Sequence, residues 1–148
     1  MPRIHKCLGL LREEEIWLRP NAETASVGNL VLHLCGNVRQ YILAGLGGAP
    51  DHRQRQAEFD EQGPLPTADL VARLTGLMEE VDRTLDRIDP ASLLTIRRVQ
   101  GHDESGLSIL VHVVEHFSYH VGQISYFVKT RHAVDLGYYA GADLNATG

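Results

Sequence analysis

A chain of 148 residues with 43% hydrophobic side chains has the length of one domain and enough apolar material for a core. Its formal charge of −5 and pI of about 5.9 argue against a nucleic-acid partner, and no apolar run reaches the roughly 18–20 residues that span a bilayer. Two distant cysteines, Cys7 and Cys35, fit no zinc or redox spacing and read as free thiols, and the N-terminus has no signal-peptide pattern, which together suit a cytoplasmic protein.

A first helix is predicted over Arg3 to Leu18, where Ile4, Leu8, Leu11 and Leu18 keep helical spacing. A second follows from the N-cap Ser26 to Ala44, with Val27, Leu30, Val31, Leu34, Val38, Tyr41 and Ile42 on one stripe. The polar connection Asp51 to Pro66 is long for a bundle loop, which points to functional use or a helical turn of its own. A third helix runs from Thr67 to Ile88. Leu93 to Val99 has strand-like composition and reads as a strand or an extended crossover. A fourth helix covers Ser105 to Arg131 on a seam of Leu107, Leu110, Val114, Phe117, Val121, Ile124 and Val128. Four long helices with one long crossover predict an all-α four-helix bundle over residues 1–131. Residues 132–148 form a weakly structured tail, in which Tyr138 and Tyr139 can dock on the body.

Eight histidines are many for this length, and their positions differ in meaning. His116 and His120 are four apart on one helix, so they share a face and can grip one ion. At about 100° per residue they fall roughly 120° and 80° from the centre of their stripe, and His33 falls roughly 120° from the centre of its own. All three lie at the margin of the buried face, where facing helices build a metal site with an open side. Ordinary packing is the competing reading for any one of them. Asn29 and Asn37 flank His33 by four residues, and His112 extends the row of His116 by one turn, so these are supporting candidates. Gly122 costs about 1 kcal/mol in a helix and asks for a close neighbour, while Gln123 can bond a histidine's second nitrogen.

Three segments together resemble the DinB/YfiT-like superfamily of metal-binding four-helix bundles: Gly28 to Gln40, Asp51 to Phe59, and His116-Phe-Ser-Tyr-His-Val-Gly-Gln123. The resemblance covers Arg3 to Arg131 and is closest to an uncharacterised bacterial subfamily. It implies that His33, His116 and His120 bind one divalent ion, zinc or nickel first, with iron and manganese open. It also implies an up-down-down-up bundle, a homodimer, and a small-molecule substrate such as a low-molecular-weight thiol of the bacillithiol or mycothiol type.

Three histidines with an open position suit two chemistries, holding a thiol as thiolate or activating water. Thiol-dependent S-transferase-like chemistry leads, with Arg53 and Arg55 as candidate partners for the thiol's carboxylates. A metal-dependent hydrolase is second, because Glu115 points away and the sequence places no other carboxylate as base. A non-catalytic metal- or ligand-binding module is third. No nucleic-acid or membrane partner is expected.

Overall fold

The computed structural model describes residues 1–147. Its first helical segment breaks in two, α1 at Pro2–Leu10 and a short α2 at Glu13–Ile16. The cause is local. The Glu15 carboxylate accepts the Arg12 backbone N–H at 3.1 Å, so the chain starts a new helix there instead of continuing the old one. Ile4 and Leu8 enter the core, while Leu18 stays 39% exposed.

α3 spans Val27–Val38 and is capped reciprocally: Ser26 Oγ accepts the Asn29 N–H and Asn29 Oδ1 accepts the Ser26 N–H, each at 3.1 Å. The helix continues over Arg39–Leu46 with a wider, π-type turn. Every residue of the predicted stripe from Val27 to Ile42 is buried. Trp17 is clamped between Gly28 and Gly63, where a Cβ would meet the indole at 2.8 and 2.5 Å. Its Nε1 donates to the Leu65 carbonyl at 3.2 Å.

The long connection does hold a helical turn, α4 at Arg55–Asp60. Buried Asn29 pins it to α3 by donating Nδ2 to the carbonyls of Glu58 at 3.0 Å and Glu61 at 2.7 Å. α5 spans Thr67–Leu85 and buries Leu70, Leu74, Leu77 and Val81. After a tight turn at Pro90–Leu94, β1 (Ile96–Val99) pairs antiparallel with β2 (His102–Ser105). Gln100 and Gly101 both have positive φ, the two-residue turn that suits the twist of a hairpin. α6 runs over Gly106–His132.

The expectation of an all-α four-helix bundle is therefore corrected: the described residues form six helices and a two-stranded antiparallel sheet. The extra elements have three local origins: the cap at Arg12–Glu15 makes α2, the turn at Gln100–Gly101 makes the hairpin, and the long connection folds as α4. The predicted seam of α6 is also corrected in its N-terminal half. Leu107 and Val114 are 52% and 68% exposed, whereas Ile109 and His120 are buried. Hydrophobicity put the stripe where the apolar residues are, but on this helix imidazoles occupy part of the inward face.

The core is one cluster from α1, α2, the first half of α3, the start of α5 (Leu70, Leu74) and the end of α6 (Ile124, Val128), and a second from the π-type turn, Leu77 and Val81 of α5, Val99 and Ile109, with Phe117 packed against both. Leu136 of the tail is buried, and the Tyr138 hydroxyl reaches Cys7 Sγ at 3.2 Å and Ser125 Oγ at 2.8 Å. α3 and α6 pack antiparallel, since His33 meets His116 while Asn37, one turn later, meets His112, one turn earlier. That crossing places the histidines. Among the described residues no helix is long and apolar enough to cross a membrane.

Candidate metal centre

His33 comes from α3, and His116 and His120 come from successive turns of α6. His116 Nε2 lies 3.1 Å from His33 Nε2 and 3.2 Å from His120 Nε2. One ring nitrogen from each lies within 4.8 Å of the others. Nitrogens at about 2.0–2.1 Å from one ion stand roughly 3.0–3.4 Å apart, so two of the three separations already match a shared cation. These three histidines could hold a metal ion.

The outer nitrogens explain why the inner ones are bare. Glu58 Oε2 lies 2.8 Å from His33 Nδ1, closer than the donor Arg53 Nη2 at 3.2 Å, which Glu58 itself accepts at 2.9 Å; a carboxylate can only accept, so Nδ1 carries the proton and Nε2 presents a lone pair. Gln123 Oε1 lies 2.6 Å from His120 Nδ1 and fixes that ring in the same tautomer, while Gln123 Nε2 donates to the Tyr119 hydroxyl at 3.2 Å. Two lone pairs thus face one point beside a third Nε2. His116 can donate a proton to one of them at a time, whereas a cation satisfies all three. His116 Nδ1 and Asn37 Oδ1 are both buried without a partner. With Nε2 as ligand, His116 Nδ1–H is a donor and Asn37 Oδ1 an acceptor, so the two orphans are chemical complements.

Electrostatics agree with a cation site. Burial, reinforced by the neighbouring imidazoles, pushes the His116 pKa down to about 4. Burial also lowers His120, against the opposing hydrogen bond from Gln123. Both rings are therefore neutral and ready to ligate at pH 7. Burial alone would raise the Glu58 carboxyl, but hydrogen bonds and charge from Arg53 and His33 outweigh it and hold it below the usual carboxylate range.

Each remaining candidate has a definite place. Arg53 is 5% exposed and grips Glu58 with Nε to Oε1 at 2.7 Å and Nη2 to Oε2 at 2.9 Å, so it supports the centre and is not free for a substrate. Arg55 lies over the Phe59 ring at 4.9 Å. Asn29 holds α4 in place, as described above. His112 stacks on Tyr41 at 4.2 Å, and its Nε2 accepts from Asn37 Nδ2 at 3.2 Å, outside the converging set. A Cβ at Gly122 would meet open space, so the close neighbour expected there is not supplied within the chain.

Sequence reasoning missed Glu58 and Phe59, which α4 lays on His33. The Phe59 ring is 4.8 Å from the imidazole. The one available signal is Gly36 in α3, where a Cβ would sit 1.9 Å from Glu58 Oε1. A glycine three residues after a helical histidine marks where another segment crosses closely.

A cleft of about 940 Å³ opens beside the centre, lined in part by His120, Gln123, Phe59, Tyr119, Tyr126 and Arg19. Over residues 2–138 the sequence matches a family model described as "Protein of unknown function (DUF1572)". No curated protein matches the chain. The family description names neither a metal nor a DinB/YfiT relationship, so that resemblance rests on the three segments quoted above.

Proposed function

The chain belongs to the DUF1572 family of proteins of unknown function, so its chemistry has to come from its own side chains, and we propose that it is a divalent-metal enzyme that activates a small external thiol for transfer to an electrophile. The observation that carries this reading is the pair of Nε2 lone pairs on His33 and His120, held bare by Glu58 and Gln123 beside His116, with His120 on the wall of an open cleft. When bound, a divalent ion, zinc or nickel first, supplies positive charge with open positions and so lowers the pKa of a thiol or water placed there.

The protein's residues do the rest. Arg53 keeps Glu58 ionised, Glu58 and Gln123 lock two imidazole tautomers, and Phe59 and Tyr119 pack against the His33 and His120 rings at 4.8 and 5.0 Å. The reaction forms a carbon–sulfur bond as the thiol sulfur displaces the electrophile's leaving group, which departs with its bonding pair while the thiol proton passes to solvent.

One feature favours a thiol over water. Glu58 is the carboxylate bonded to the centre, and it is already committed to Arg53 and His33, leaving none bonded there to act as a base. The chain's own cysteines do not serve as nucleophile either: Cys7 is buried against Tyr138, and burial pushes the Cys35 thiol up to about 11. The nucleophile thus comes from outside.

The test is metal analysis of freshly purified protein, followed by cobalt(II) loading and titration with bacillithiol-type and mycothiol-type thiols. A sulfur-to-cobalt charge-transfer band supports the reading. Stoichiometric metal with no thiol band, together with ester or amide hydrolysis, replaces it with the hydrolase. Stoichiometric metal with neither leaves a binding module.

A further inference from the structure

Of the two arginines on the cleft wall, Arg131 forms an ion pair and Arg19 forms none among the described residues. Arg19 follows α2, and its Nη2 donates to Asn29 Oδ1 at 3.0 Å, to the Phe59 carbonyl, and to the Glu61 carbonyl at 3.5 Å. All three acceptors are neutral. They hold the guanidinium by one nitrogen and leave Nε and Nη1 without a partner among the described residues. Arg131, the other arginine on the wall, is neutralised by Glu15 at 2.9 Å.

The rest of the wall is mostly apolar or aromatic, with Glu23, Thr24 and Thr130 as polar groups at its edge. Tyr119 and Tyr126 are 63% and 74% exposed, and Phe59, Phe127 and Leu30 lie with them in the cleft. Exposed aromatic rings beside one unanswered positive charge describe a ligand with an apolar body and a single negative group. A guanidinium edge with two free N–H groups matches a carboxylate in bidentate fashion, and one charge balances a monoanion better than a dianionic phosphate.

We propose that Arg19 binds the carboxylate of an aromatic or similarly apolar co-substrate, whose body lies on Tyr119 and Tyr126 and whose reactive end reaches His120. This deepens the thiol-transfer reading and rests on it for the identity of the centre. It also moves anion recognition from Arg53 and Arg55 to a residue before α3. Arg19 is here a specificity determinant and performs no step of the reaction.

The probes are 3-phenylpropanoate and its neutral isostere 3-phenylpropanamide, titrated into isotope-labelled metal-loaded protein and followed by NMR. The acid is expected to shift Tyr119, Tyr126 and Gln123 resonances and to bind about tenfold more tightly than the amide, the worth of one good ion-paired contact. Arg19→Gln is expected to abolish that preference, and Arg19→Lys to keep part of it, because the charge remains and the fork does not. Melting curves of both variants separate loss of binding from loss of fold. Equal affinity for acid and amide in the unaltered protein, or an acid preference that survives Arg19→Gln in a folded variant, overturns the proposal. An intact carboxylate preference without any thiol band on cobalt-loaded protein sinks the transfer reading and leaves the anion pocket standing.

Discussion

Glu58 Oε2 sits 2.8 Å from His33 Nδ1, and Arg53, buried behind it, binds both carboxylate oxygens. A chain of three side chains therefore runs from the 51–66 connection to the outer nitrogen, Nδ1, of the imidazole on α3. Such supporting partners set ring orientation and ligand basicity, and their loss costs roughly 10–100-fold in metal affinity. Glu58→Gln keeps an acceptor for Nδ1 and is expected to lie near the lower end of that range, measured by competition with a chromophoric chelator. Glu58→Ala also strands the Arg53 charge, so it is expected to cost about 3–5 kcal/mol of stability in urea unfolding as well.

Replacing His33, His116 or His120 singly by Ala is expected to reduce zinc affinity by more than the loss of a supporting partner does. His112→Ala is expected to leave it within a few-fold, because that ring is occupied by Tyr41 and Asn37. Calorimetric titration of the four variants checks this. Metal at a thousandfold excess over Kd should add about 4 kcal/mol to the unaltered protein's stability, and this gain should vanish in the three ligand variants.

Acid should destabilise the metal-free protein in a defined window. An unfolded histidine titrates near 6.5, whereas His116 in the fold stays neutral down to about 4. Between those values the unfolded chain binds more protons, so stability falls as pH falls. The loss expected from this half-buried ring is on the order of 1–2 kcal/mol after solvent screening. His116→Asn should flatten that part of the pH profile. Glu15, whose carboxyl is held far below its usual range by Arg12 and Arg131, contributes at lower pH, its stabilisation being lost from the ordinary carboxylate pKa of about 4 downward.

Two glycines should respond in opposite directions to Ala. At Gly122 a methyl meets open space inside a helix, so Gly122→Ala is expected to stabilise the chain by up to about 1 kcal/mol. At Gly36 the new Cβ would fall 1.9 Å from Glu58 Oε1, so Gly36→Ala should push Glu58 off His33 and lower metal affinity as Glu58→Gln does. Thermal melts and the same chelator competition distinguish them.

Cys35 should react slowly. With its thiol raised to about 11 by burial, little thiolate exists at pH 8, and alkylation by iodoacetamide is expected to lag far behind that of a free cysteine. Fast modification of Cys35 would return an internal nucleophile to consideration.

Helix periodicity and the four-residue step from His116 to His120 are local properties, written in neighbouring residues, so the sequence by itself determined α3, α5 and α6 and the paired imidazoles. The caps that split the first helix and turned the crossover into a hairpin are equally local, but they compete with a helical pattern, and only the formed hydrogen bonds at Arg12–Glu15 and the positive φ values at Gln100 and Gly101 resolved that contest. Tertiary structure alone decided what meets His33. Glu58 is 25 residues away across an aperiodic connection, and Arg19 reaches Phe59 across 40. Contacts of that range leave no period in a sequence. They exist because Asn29 and Gly36 let α4 lie against α3, and the burial that results makes one carboxylate a support for the centre and leaves one arginine facing the cleft.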